Sequence, residues 1–403
     1  MSPKARAPAP SPFPAPAPAP LTRTALFDFH QRHGAHLVPF AGWEMPLYYA
    51  SIMDEHRGVR SAVGLFDVSH MGILTIDGGH AAELLSRRTT ANVERLEPGQ
   101  VRYTFLLEGT GGIVDDLLIS RIDTGSELTR RFVVVPNAAR AAEVEEIFRQ
   151  HRRPDTTIRR WNGEVSLLAV QGPGSRALLE KRFAWQLGSL AFYHAAFFPS
   201  APGGPDPAGR LGAIFPADLK NTIFVSRTGY TGELGYELFI PSPAVDGIAE
   251  SLVSLGARPT GLAARDTLRL EKGYLLSGQE FHRDRTPLEA GQDRFVEFDH
   301  PFVGRDALEK ERKDGLPVRL AGIEVRAEGA IPRHGTPVLS NGQRVAETTS
   351  GGLSPGLGRG IALAYLPPAL TAPGTPLTLD IRGRQVAGEV VKLPFVRTAP
   401  GRP

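Results

Sequence analysis

After about Lys313, glycine and proline recur so often that every apolar run is cut short. A stable helix needs several uninterrupted turns, so none is expected in this interval. The runs LAGIEVRA, TPVLS, QRVAETTS, GIALAYL, PLTLDI and QVAGEVV instead read as short strands, each bounded by a Gly or Pro turn. Residues 313–403 are therefore expected to form an all-β module of about 85 folded residues, a small barrel.

The part before it has a different pattern. TALFDFHQRHG predicts a short helix closed by Gly34, and HAAELLSRR, ARAAEVEEIFRQH and AVDGIAESLVSLG space their apolar residues helically. Between them lie the strand-like runs GILTID, VRYTFLL, RFVVVP, VSLLAVQG, NTIFVSRT and YELFIP. Helices and strands mix without strict βαβ alternation, which predicts an α+β fold with antiparallel sheets over residues 21–312. SAPGGPDPAGR, within residues 183–220, reads as a long loop. Residues 1–20 alternate proline and alanine, which excludes a helix and predicts a disordered tail or linker; they lack the apolar core of a secretory signal.

Several function classes drop out. The chain has no cysteine, which removes disulfides, thiolate nucleophiles and zinc–thiolate sites. Its net charge is only +3 and both signs are interspersed, so no nucleic-acid footprint is read. No apolar run reaches the roughly 18 residues of a membrane span. Neither a dinucleotide-binding fingerprint nor a P-loop is present, and GPGS at 172–175 reads as a turn. The eleven histidines, His30 and His70 among them, show no metal-ligand spacing, so no metal is expected.

Three glycine-bounded segments carry polar residues among apolar ones. In GGIVDDLLISR the neighbouring carboxylates Asp115 and Asp116 interrupt a strand, where Asp is disfavoured. Alternation puts Asp116 on one face with Leu118 and Ser120, and Asp115 on the other with Leu117, Ile119 and Arg121. SRTGYTGELGYEL offers close backbone approach, two tyrosine rings and the acceptors Glu233 and Glu237. GLAARDTLRLEKG reads as a helix with Arg265 and Arg269 on one face, and Asp266 and Glu271 placed to pair locally; an ordinary surface ion pair is the plainer alternative. A carboxylate, a guanidinium and aromatic rings about a glycine-rich turn suit a flat heterocycle with an amide-like edge, such as a pterin.

From about Thr24 to Val396 the chain resembles the glycine cleavage system T-protein (aminomethyltransferase) family. The similarity lies in an ordered series of words: PFAGWEMPLYY, GLFDVSHMG, GGIVDDLL, LLAVQGP, SRTGYTGELGYEL, GLAARDTLRLEKG, TPLEAG, TSGGLSPGLGRGIALAYL and KLPFV. The resemblance implies a three-lobed cloverleaf, two α+β folate-binding lobes and a C-terminal β-barrel. It implies transfer of the methylene of S-aminomethyl-dihydrolipoyl H-protein to tetrahydrofolate, releasing ammonia and giving 5,10-methylenetetrahydrofolate. Partners would be the lipoylated H-protein and, through it, glycine decarboxylase and dihydrolipoyl dehydrogenase. The location would be the cytoplasm, or the mitochondrial matrix in a eukaryote.

By the same resemblance Asp116 is the catalytic carboxylate, facing positive charge that develops at the migrating methylene. Tyr103, Asn137, Tyr230, Glu237 and Arg265 would contact the folate, with Glu237 on the pterin edge, and Arg397 would meet its glutamate tail. Asp115 is expected to be structural, paired with Arg121, and Glu233 to lie outside the direct contacts. Two departures stand out: Leu234 replaces a usual acidic residue, and Phe295 lies near the place of a usual Trp. A folate-dependent demethylase of a small methylated compound would share the fold. A non-catalytic folate-binding relative would too, but those relatives depend on a cysteine motif.

Overall fold

The computed structural model describes residues 20–122, 130–202 and 221–398. The Pro/Ala tail up to residue 19 and all of SAPGGPDPAGR beyond its first three residues lie outside the described residues.

Two sheets form the first part of the fold. A five-stranded antiparallel sheet runs in the order Val101–Leu107, Ile113–Arg121, Arg130–Val135, Leu74–Gly78, Thr157–Arg160. A six-stranded sheet runs Ala195–Pro199, Thr222–Ser226, Gly235–Pro241, Val165–Gln171, Gly64–Asp67, Arg258–Pro259, and only its last pair is parallel.

The sheets pack on each other because their strands are apolar on both faces. Along Val165–Gln171, Leu167 and Ala169 enter the core between the sheets, whereas Leu168 and Val170 face the outer helices Ser175–Phe183 and Ser242–Ser254. Helices Ala81–Arg88 and Ala141–His151 cover the far side of the five-stranded sheet. The strands after Lys313 close into a barrel, in the order Arg319–Val325, Arg359–Leu366, Gln343–Ser354, Pro337–Ser340, Pro376–Ile381, Arg384–Val391. Every strand-like run of the sequence is recovered as a strand.

Sequence periodicity missed the helices Ile52–Ser61, Ser175–Phe183 and Arg305–Asp314 and the strands His36–Phe40, Trp43–Tyr48, Gly64–Asp67, Thr157–Arg160, Ala195–Pro199 and Arg258–Pro259. These helices are rich in charge and their buried apolar residues do not recur over two turns: Val59 in the first, Leu178, Leu179 and Phe183 in the second and Leu308 in the last.

Helix Leu262–Lys272 ties the lobes to the barrel. Asp266 does pair locally, with Arg269 at 2.7 Å. Glu271 does not: it is buried, meets Arg60 of helix Ile52–Ser61 at 2.7 Å, and accepts from Ser354 Oγ at 2.6 Å and Gly356 N–H at 2.8 Å in the barrel. Arg269 is buried too, against Glu280 and Ser350 Oγ, each at 2.7 Å. Carboxylates facing the core answer cations from other elements, a pairing that helix spacing does not contain.

Candidate active site

Strand Ile113–Arg121 begins at a turn that demands glycine twice. Gly111 has φ +87°, and a Cβ on Gly112 would stand 1.8 Å from the Arg283 carbonyl oxygen. The strand then carries the doublet between two neighbours. Tyr103 lies opposite Leu118, which shares a face with Asp116. That diagonal lets the Tyr103 hydroxyl donate to Asp116 Oδ2 at 2.7 Å.

From the other side, Asn137 follows strand Arg130–Val135 and spans both carboxylates. Its backbone N–H donates to Asp115 Oδ2 at 2.9 Å and its Nδ2 to Asp115 Oδ1 at 2.8 Å, while Nδ2 also donates to Asp116 Oδ1. Asp115 is therefore held by Asn137. Arg121, expected as its partner, lies six residues along the same strand, roughly 20 Å away by strand rise, and donates to the Leu96 carbonyl.

Burial is the largest influence on the doublet and pushes both carboxyls up. The charge of Asp116 raises Asp115 further, and the Asn137 and Tyr103 hydrogen bonds oppose the rise. The phenol of Tyr103 is itself raised well above its usual value, by burial and then by Asp116.

The residues of the second and third segments form a second cluster. Glu237, on strand Gly235–Pro241, accepts from Thr228 Oγ1; burial raises its carboxyl, and Thr228 and the Arg265 charge pull it back. The Arg265 guanidinium sits 4.6 Å from the centre of the Tyr230 ring. The Tyr230 hydroxyl donates to the Leu275 carbonyl, and its ring stacks on Tyr274 at 5.8 Å. Burial raises the Tyr230 and Tyr193 phenols, and the Asp116 charge adds to both; Glu237 also acts on Tyr193. The doublet and the pterin-type cluster thus share one electrostatic environment.

The structure brings together Asp116, Tyr103, Asn137, Tyr230, Glu237 and Arg265. Arg397 is exposed, and the chain on either side of it is fastened to the second and third segments: Lys272 donates to the Val396 carbonyl and to Thr398 Oγ1, each at 3.1 Å, and Thr398 Oγ1 donates to the Gly232 carbonyl. Glu233 is engaged by Arg60 at 2.9 Å. Leu234 is buried in the apolar core behind the six-stranded sheet, and Phe295 packs edge-on to Tyr103 at 4.7 Å.

Sequence reasoning missed His70, Tyr193 and Tyr274. Burial, then Arg265, lowers the His70 imidazole to about 4, so it is neutral here. Tyr193 reaches the site from a stretch that has no clear periodicity, and the neighbouring rings of Phe192 and Tyr193 were its only signal. Among the described residues no three His, Asp or Glu side chains are grouped to hold a metal ion.

The donor set fits a reduced pterin. Glu237 offers carboxylate oxygens beside a guanidinium, and Tyr230 offers a flat ring, so an edge with two N–H donors and a neighbouring carbonyl finds a complement for each group.

Comparison with known proteins agrees with this geometry. Residues 26–201 and 217–300 match the model of the GCVT N-terminal domain, and residues 319–397 that of the glycine cleavage T-protein C-terminal barrel domain. An aminomethyltransferase of Halothermothrix orenii is 41% identical over 381 residues, covering 93% of this chain and all of the relative. One from Rubrobacter xylanophilus is 42% identical over 380 residues, covering 94% and 95%. The crystal structure of glycine cleavage system aminomethyltransferase T from Bartonella henselae superposes with a TM-score of 0.82 at 32% identity, covering 93% of this chain and 98% of that one. With both family models matched in order and relatives aligned over nearly their whole length, this chain belongs to the glycine cleavage T-protein (aminomethyltransferase) family.

Proposed function

We propose that this chain transfers the methylene of S-aminomethyl-dihydrolipoyl H-protein to tetrahydrofolate, releasing ammonia and giving 5,10-methylenetetrahydrofolate. The observation that carries the reading is Asp116, a half-buried carboxylate held by Tyr103 and Asn137 beside a donor set that suits a pterin.

Tetrahydrofolate supplies the accepting amines. Glu237, Arg265 and Tyr230 hold and orient the pterin, and Asn137 and Tyr103 fix the carboxylate of Asp116. Asp116 places negative charge beside the migrating carbon, where positive charge develops. At about 4 Å and an effective dielectric near 20, one such carboxylate stabilises that charge by roughly 4 kcal/mol. Because the Tyr103 and Asn137 hydrogen bonds are already formed, Asp116 is oriented before the reactants arrive.

The reading divides the chain into a tail (1–20), a folate-binding region of two lobes (21–312) and a barrel domain (313–403). It includes the lipoylated H-protein as direct partner, glycine decarboxylase and dihydrolipoyl dehydrogenase as indirect ones, and a cytoplasmic location. Family membership supports these assignments.

The test is a coupled assay. Aminomethylated H-protein and tetrahydrofolate should release ammonia only when both are present with the enzyme. Release that is independent of either substrate refutes the reading.

A further inference from the structure

Gln171 closes strand Val165–Gln171 and is fully buried. A buried side-chain amide needs partners for its donor and for its acceptor. Gln171 finds both in one short segment. Its Nε2 donates to the Thr228 carbonyl at 3.2 Å, and its Oε1 accepts from the Thr231 hydroxyl at 2.9 Å. One partner can only accept and the other donates, so a single orientation of the amide serves both.

Between the two held residues stand Gly229 and Tyr230. Among the described residues no backbone–backbone hydrogen bond involves residues 228–233, so side chains hold this stretch. Besides Gln171 they are Arg60, which donates to the Thr231 carbonyl at 2.7 Å, and Thr398, which donates to the Gly232 carbonyl. Of these three, only Gln171 also holds Thr228. The fit is close: a Cβ on Gly229 would stand 2.0 Å from Gln171 Oε1, and one on Gly235 would stand 2.3 Å from its Nε2. Gly235 is the cross-strand partner of Gln171, and Glu237 follows two residues later on the same face of that strand. Thr228 in turn donates its hydroxyl to Glu237. One side chain thus bears on both halves of the pterin cluster. The Tyr230 ring lies between its two contacts, and the Glu237 carboxylate is reached through Thr228.

We propose that Gln171 is a positioning residue for tetrahydrofolate binding: its amide sets the spacing between the Tyr230 ring and the Glu237 carboxylate, and so the fit of the pterin between them. The proposal rests on the folate reading of the site. Gln171, buried behind the Thr228–Thr231 segment, acts through Tyr230 and Thr228 and not by contact with the ligand. The chemistry selects this residue type. A carboxylate here would accept from Thr231 but face the Thr228 carbonyl with no proton to offer, and an apolar side chain would leave both partners unmet.

The test combines tetrahydrofolate titration of the full chain, thermal unfolding, and steady-state kinetics with aminomethylated H-protein. The variants are Gln171→Glu, Thr231→Val, Thr231→Ser and Ser175→Ala. Gln171→Glu and Thr231→Val should each weaken tetrahydrofolate by about five- to thirtyfold, the range for one lost hydrogen bond that leaves a buried partner unmet, while kcat at saturation falls less. Their losses should not add in the double variant, because both break the same clamp. Thr231→Ser keeps the hydroxyl and should restore the affinity. Ser175 Oγ donates to the Leu234 carbonyl at 3.2 Å, in the same loop but on the side of the apolar core. Ser175→Ala should therefore lower the melting temperature and leave the affinity as it was. Wild-type affinity in Gln171→Glu or in Thr231→Val overturns the proposal; if Gln171→Glu does not fold, the Thr231 pair decides. An equal loss of affinity in Ser175→Ala also overturns it, since the effect would then be a general loosening of the fold. Wild-type protein that binds no tetrahydrofolate would instead refute the functional reading on which the proposal stands.

Discussion

One amide of Asn137 serves two carboxylates: its Nδ2 donates to Asp115 Oδ1 at 2.8 Å and also to Asp116 Oδ1. The neighbours are thereby split into unlike roles. Asp115 takes the Asn137 backbone N–H as well and is fully buried, whereas the other oxygen of Asp116, which is half-buried, accepts from the Tyr103 hydroxyl.

Asp116→Asn should lower kcat by about 10²–10⁴ with tetrahydrofolate still bound, since only the charge is removed. Single-turnover kinetics beside a folate titration separate the two effects. Full turnover by the variant would take Asp116 out of the mechanism.

The doublet should impose an acid limb on kcat above the ordinary carboxylate range of about 4, because burial raises both groups and activity needs Asp116 ionised. Stability should respond with a definite sign. Between the ordinary and the raised values the native doublet holds protons that the unfolded chain has released, so stability falls as pH rises through that window. Thermal unfolding of Asp116→Asn against wild type from pH 4 to 7 reads this: the variant should gain on wild type as pH increases.

Glu237→Gln and Arg265→Ala should each weaken tetrahydrofolate by about tenfold or more while kcat at saturation falls less, because they hold the pterin and do not face the migrating carbon. Unchanged affinity in either variant would contradict the assignment.

Gly112→Ala tests the turn that presents the doublet. Its Cβ would meet the Arg283 carbonyl oxygen at 1.8 Å, which only a backbone shift relieves, at about 1–3 kcal/mol. Melting temperature and kcat should both fall, kcat the more because the shift moves Asp116. Gly109, where an added Cβ meets nothing within 4 Å, is the matched control.

Glu271→Gln should destabilise the fold by about 3 kcal/mol, since it leaves Arg60 and His56 facing a neutral group in a buried network. Burial alone would raise Glu271, but His56, Ser354 and the Gly356 N–H hold it at about 2. Its contribution is therefore complete above its unfolded value near 4.5 and is lost as pH falls toward 2. Denaturant titrations of wild type and variant should converge in that acid range.

The strands were legible where their signal is local: alternating or continuous apolar runs between Gly and Pro turns settle the barrel, most of the five-stranded sheet and half of the six-stranded one whatever they pack against. The same holds for the doublet, which a strand tolerates only for a reason outside the strand, and the ordered words around it fix the family. What the chain could not show is which distant side chains meet. The two sheets, packed through Leu167, Phe224 and Val133, bring Asn137 and Tyr103 to either side of Asp116, and helix Leu262–Lys272 sends Arg265 to the site but buries Arg269 and Glu271 beneath the barrel. Periodicity records the face a residue turns inward; only close packing among elements far apart in sequence decides what it finds there.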